Sequence, residues 1–101
     1  MEQVQGFAQK EMLKPDLYVV ARFLEALWDS GREYLKTQLQ MAVGLNYNIY
    51  MKYLNWLEKK GLIVLRLVGK KKTTVRITNK GVKAYDSLVG WINDVIGGDL
   101  G

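Results

Sequence analysis

Apolar side chains recur along this chain with two different periods, and the switch between them lays out its elements. From Pro15 onward, Leu17, Val20, Ala21, Leu24, Leu27 and Trp28 return at helical spacing and predict a buried stripe, with Arg22, Glu25 and Asp29 on the opposite side. Proline suits the first helical position, Asp16 favours the positive end of the helix dipole, and Ser30-Gly31 stops the run. A short extended piece, Glu33-Tyr-Leu35, leads into a brief helix over about 36–43 with Leu39, Ala42 and Val43 inward. Gly44 ends it, Leu45 points inward, and Asn46 is suited to cap a third helix over about 47–60. On that helix Ile49, Tyr53, Trp56 and Leu57 gather on one side with Tyr50 at the margin. Asn48, Met51, Lys52, Asn55 and Lys59 occupy the other.

Past Gly61 the pattern turns β-like. Leu62 to Val68 and Thr73 to Thr78 are rich in β-branched residues and predict an antiparallel hairpin joined across Gly69 to Lys72. Thr78 can cap a last helix over about 79–97. Along it Gly81, Tyr85, Leu88, Ile92 and Val95 form an a/d-like seam, widened by Val82, Val89, Trp91 and Ile96. Residues 1–13 are weakly patterned and read as an arm, with 14–97 as one domain, in keeping with a length of 101 residues. The expected fold is α+β and mainly α. Its order of helix, short strand, helix, glycine turn, helix, hairpin, helix is that of a winged helix-turn-helix, with the helix-turn-helix over about 36–60 and the wing over about 62–78.

Charge sharpens this picture. Nine of the fifteen basic residues fall between Lys59 and Tyr85, a stretch of 27 residues without an Asp or Glu. The residues before it carry a net −1 and those after it −3, so a local +9 stands inside a chain of +5. Charge concentrated in this way is the footprint of a polyanion. Chemistry is excluded on several fronts. With no cysteine and no histidine, disulfides, thiolate or imidazole metal sites and the Ser-His-Asp kind of catalysis are ruled out. No phosphate-binding glycine loop is present, since Gly97-Gly98 lacks a following Lys-Ser/Thr. The expectation is a non-enzyme without cofactor, metal or small-molecule ligand. No apolar run is long enough to span a bilayer, and the first residues do not resemble a signal peptide, so a cytoplasmic location away from membranes is expected.

Three stretches together resemble a known family. Leu39-x-x-Ala42-x-Gly44-Leu45, then Tyr53-Leu-x-x-Leu57-Glu-Lys-Lys-Gly-Leu-Ile63, then Ile77-Thr-x-Lys-Gly81 are similar to archaeal winged-helix DNA-binding proteins. The nearest likeness is to small archaeal chromatin-associated and transcriptional-regulator proteins that dimerise through a long C-terminal helix. The match spans roughly residues 17 to 92. It implies an archaeal or archaeal-virus protein, associated with the nucleoid, that binds double-stranded DNA as a homodimer in transcription regulation or DNA organisation.

The candidate DNA-binding residues are Asn46, Tyr47, Asn48, Met51, Lys52, Asn55 and Lys59 on the third helix and Arg66, Lys70, Lys71, Lys72 and Arg76 on the wing. A helix of this kind fits a major groove, where Asn can pair with adenine edges and Lys with guanine or backbone oxygens. Wing cations neutralise phosphates and carry affinity more than sequence information. The blander possibilities are a solvated helix face and a solubilising loop tip; Lys80 and Lys83 flank the same surface or face plain solvent. Tyr53 and Trp56 read as core, and Tyr47 stays open. Tyr85, Leu88, Val89, Trp91, Ile92, Val95 and Ile96 are the candidate dimer interface, with Phe7, Met12 and Leu13 of the arm as possible additions. The alternative is a winged-helix protein–protein adaptor for an acidic partner, since fold alone does not imply DNA binding.

Overall fold

The first helix of the computed structural model, which describes residues 13–97, is α1 (Leu17–Asp29). Asp16 starts it: the carboxylate accepts from the Tyr18 N–H at 2.8 Å, and Pro15 lies outside the helix instead of at its first position. The buried stripe is Val20, Phe23, Leu24 and Leu27, a clean i, i+3, i+4, i+7 series. This corrects the expected stripe, because Leu17 and Trp28 are exposed and Ala21 is only half-buried. The partner surface decides the phase. The Phe23 ring stacks between Tyr50 and Tyr53, at 5.7 Å from each.

Strand β1 (Glu33–Leu35) and helix α2 (Lys36–Val43) follow as expected, with Leu39 and Val43 buried. Ala42, expected inward, is exposed, so the inward set of α2 is Leu39 and Val43. The corner rests on Gly44, whose φ of 70° is left-handed and whose N–H donates to the Gln40 carbonyl at 3.0 Å. A Cβ there would meet nothing within 4 Å, so the dihedral alone calls for glycine. Asn46 then caps α3 (Tyr47–Lys59) by accepting from the Ile49 N–H at 2.9 Å. Its buried arc is Tyr50, Tyr53, Leu54 and Leu57, rotated from the predicted one. Tyr50 moves from the margin to the centre, while Ile49 and Trp56 are half-buried.

Strands β2 (Ile63–Val68) and β3 (Lys72–Ile77) pair antiparallel from Ile63↔Ile77 to Val68↔Lys72. The loop between them therefore shortens to Gly69, Lys70 and Lys71. β1 joins on the other side of β3, giving the order β1-β3-β2, with Glu33 opposite Arg76 and Leu35 opposite Thr74. One face of this sheet contributes Ile63, Val75 and Ile77 to the core, which also holds the α1 stripe, Leu39, Val43 and the α3 arc. The other face carries Glu33, Arg66, Thr74 and Arg76 by strand alternation.

Thr78 caps α4 (Asn79–Trp91) through the Gly81 N–H at 3.0 Å. The α-helix does not continue to 97; Ile92–Ile96 forms a π-helical stretch. The predicted seam splits at this point. Val82, Ala84, Tyr85 and Leu88 pack against the chain's own core, whereas Trp91, Val95 and Ile96 are exposed. Tyr85 and Leu88 are thus half-buried by the packing of α4 on α1, and Leu88 still borders an open groove. Val89 and Ile92 are half-buried. Of the arm, Leu13 packs against the core; Phe7 and Met12 lie outside the described residues.

Candidate nucleic-acid interface

Asn48, Lys52, Asn55 and Lys59 follow one another at intervals of four, three and four, and all are exposed. They form the outward side of α3, opposite its buried arc. Tyr47 is 59% exposed at the start of the helix. Two of the predicted contacts are partly committed elsewhere. Asn46 spends its side-chain carbonyl on the cap, and Met51 is half-buried against the core.

The inner side of α3 is tied at two points. The Tyr50 hydroxyl donates to the Lys36 carbonyl at 2.5 Å. The Tyr53 hydroxyl accepts from the Asp16 N–H at 2.9 Å. Burial pushes the Tyr50 phenol far above its ordinary range, so it stays a neutral donor. Arg22 donates to the Val43 carbonyl at 2.8 Å, closing the end of α2 before the corner. At the far end of α3, Lys80 donates to the Lys60 carbonyl at 2.7 Å and the Thr78 hydroxyl to the Gly61 carbonyl at 2.6 Å. Lys80 is therefore a C-terminal cap of α3, while Lys83 faces solvent.

On the wing, Lys70, Lys71 and Lys72 are exposed. Lys71, Lys72 and Thr73 face the β1–α2 junction across an open cleft of about 380 Å³ whose other wall is Leu35, Lys36 and Thr37. Lys36 belongs to this basic surface although no local signal marks it: it lies outside the acid-free stretch and is brought in by β1 pairing. Lys36 is also the first residue of α2, whose first turn holds no acid and whose N-cap makes no side-chain hydrogen bond. A cation there opposes the helix dipole, so the fold tolerates a positive cluster that an anion would relieve.

The two wing arginines behave differently. Arg66 and Arg76 point to a single carboxylate, Glu33, at 3.9 and 3.6 Å, and the Thr74 hydroxyl donates to its other oxygen. The acid-free stretch of sequence thus receives an acid from β1. The Thr74 hydrogen bond is the largest influence on the Glu33 carboxyl and holds it below its ordinary range against the opposing effect of burial, with smaller help from the charges of Arg66 and Arg76. A lowered folded-state pKa means stability that is present above the unfolded carboxylate range and is lost as pH falls through the folded value. The stability advantage of wild type over Glu33→Gln is accordingly expected to shrink as pH drops from about 6 to 3. Paired thermal melts check this; a gap that widens on acidification contradicts the assignment.

A winged helix-turn-helix family model matches residues 16–94, from the cap of α1 into the π-helical stretch. The chain belongs to the winged helix-turn-helix family. Among solved structures it is similar to that of Sso10a-2, a DNA-binding protein from Sulfolobus solfataricus. The TM-score is 0.67, with 79% of this chain and 80% of that chain covered at 20% identity. At that identity the likeness is one of fold. No curated protein matches the chain. No helix among the described residues is long and apolar enough to cross a membrane, and no group of three or more acids among them could hold a metal ion.

Proposed function

We propose that this chain binds double-stranded DNA as a homodimer and serves as a transcriptional regulator or DNA-organising protein of the cytoplasmic nucleoid. One observation carries the reading. An outward α3 face of Asn48, Lys52, Asn55 and Lys59 accompanies a wing whose Lys71 and Lys72 line an open cleft together with Lys36. The first supplies groups suited to base edges in a major groove, and the second supplies phosphate neutralisers. The likeness to Sso10a-2, a DNA-binding protein, supports the same reading, and its Sulfolobus source supports the archaeal origin.

The dimer rests on apolar surface that the monomer leaves uncovered. Trp91, Val95 and Ile96 are exposed beyond the core, and Leu17, Trp56, Leu88 and Trp91 border an open groove of about 520 Å³. A two-fold pairing of α4 and its π-helical extension would cover both. If each protomer neutralises about four to six phosphates, log affinity for duplex falls against log salt with a slope of about −7 to −11. A salt titration by fluorescence anisotropy, with sedimentation equilibrium of the free protein, tests both parts. A slope shallower than about −2 would leave the adaptor reading in its place, and a monomer at all concentrations would remove the dimer.

A further inference from the structure

We propose that Glu33 limits the affinity of the wing: its carboxylate engages Arg66 and Arg76 internally and keeps both guanidinium groups from DNA phosphates. The proposal rests on the DNA-binding reading above. Glu33 stands on β1 directly opposite Arg76, and Arg66 reaches it from β2 across β3. The distances of 3.6 and 3.9 Å are those of ion pairs, and the Thr74 hydroxyl fixes the carboxylate from the strand between. A carboxylate between two arginines stands where a phosphate would be held, since both anions take the same planar donors. Arg66 and Arg76 keep half-exposed side chains, so they are within reach of solvent and of a polyanion once released. Lys70, Lys71 and Lys72 have no such internal partner among the described residues. The wing therefore divides into open lysines at its tip and satisfied arginines at its base.

A structural pin and an affinity limiter predict opposite signs. Were Glu33 only a pin, Glu33→Gln would lower stability and DNA affinity together. As a limiter, Glu33→Gln lowers stability slightly and raises duplex affinity about tenfold near 0.1 M salt, steepening the salt slope by roughly 1 to 2. Thr74→Val, which frees the carboxylate without removing it, moves affinity in the same direction by a smaller factor. Placing Arg66→Gln and Arg76→Gln in the Glu33→Gln background abolishes that gain, and their combined effect is about tenfold larger there than in wild type. Unchanged or weaker duplex binding by folded Glu33→Gln overturns the proposal, as does equal loss from the arginine substitutions in both backgrounds. If no variant binds duplex at low salt, the DNA-binding reading falls on its own. Guanidinium NMR then decides the internal contact. Resolved, slowly exchanging Arg66 and Arg76 signals that average out in Glu33→Gln support it, and identical signals in the two proteins overturn it.

Discussion

Replacing Lys70, Lys71 and Lys72 together by alanine is expected to weaken dimer binding to any duplex by about 10⁵-fold at roughly 0.1 M salt. Each phosphate contact contributes about 0.9 to the log–log salt slope, so three lost lysines remove roughly 2.7 per protomer and about 5.4 from the dimer. Between 1 M and 0.1 M salt a slope change of about 5.4 corresponds to a factor of roughly 10⁵. The fold should survive, since all three side chains are exposed and none takes part in the core. The loss should be the same for unrelated duplexes, because a phosphate contact reads no sequence. Asn48→Ala or Lys52→Ala should instead change the ranking of duplexes. Anisotropy titrations on two sequences of equal length separate the cases. A triple variant that binds one duplex normally and loses the other would show that the wing reads bases.

The second large effect concerns the fold. Gly81→Ala is expected to destabilise the chain by about 3 kcal/mol, which lowers the melting temperature by roughly 10–20 °C for a domain of this size. Helix propensity alone predicts the reverse, a gain of up to about 1 kcal/mol. The clash decides the sign. A Cβ on Gly81 would lie 2.2 Å from the Leu62 carbonyl oxygen and 2.7 Å from Ile77 Cγ1. That carbonyl is held in place, since it accepts the Thr78 N–H at 3.0 Å. Gly90→Ala is the internal control: nothing lies within 4 Å of its Cβ position, so a gain of about 0.5 kcal/mol is expected there. Thermal melts of the two variants settle the matter, and a Gly81→Ala protein as stable as wild type would refute the close approach.

Gly81 also illustrates what the sequence could and could not disclose. Its spacing with Tyr85 and Leu88 is the same whether the seam meets a second copy or the chain's own core. Only the docking of α4 beside Leu62 and α1 shows that the first half of the seam is internal. Element order was legible, and so were the borders set by local caps and stops: Asn46, Gly44, Thr78 and Gly61 each act within a few residues, whereas the start of α1 and the end of α4 were not. Helix phase was less legible. Phe23 and Tyr50 occupy the centres of their buried arcs because their rings stack on each other across two helices, information that a single helical wheel does not hold. On the candidate site, the lysines of the tip and the outward residues of α3 were readable from charge and period. Lys36, the Lys80 cap and the Glu33 clasp were not, since each depends on a tertiary meeting of residues far apart in the chain.

The tyrosines that tether α3 bear on how such a chain can change over generations. Tyr50 and Tyr53 anchor the helix to Lys36 and Asp16 from its inner side, while Asn48, Lys52, Asn55 and Lys59 support nothing inside the molecule. Drift at those four codons therefore escapes purging by misfolding. On the DNA-binding reading proposed above, a duplicated copy could acquire a new preferred site within a few substitutions, and a laboratory library randomised at the same four positions should consist mostly of soluble, folded members.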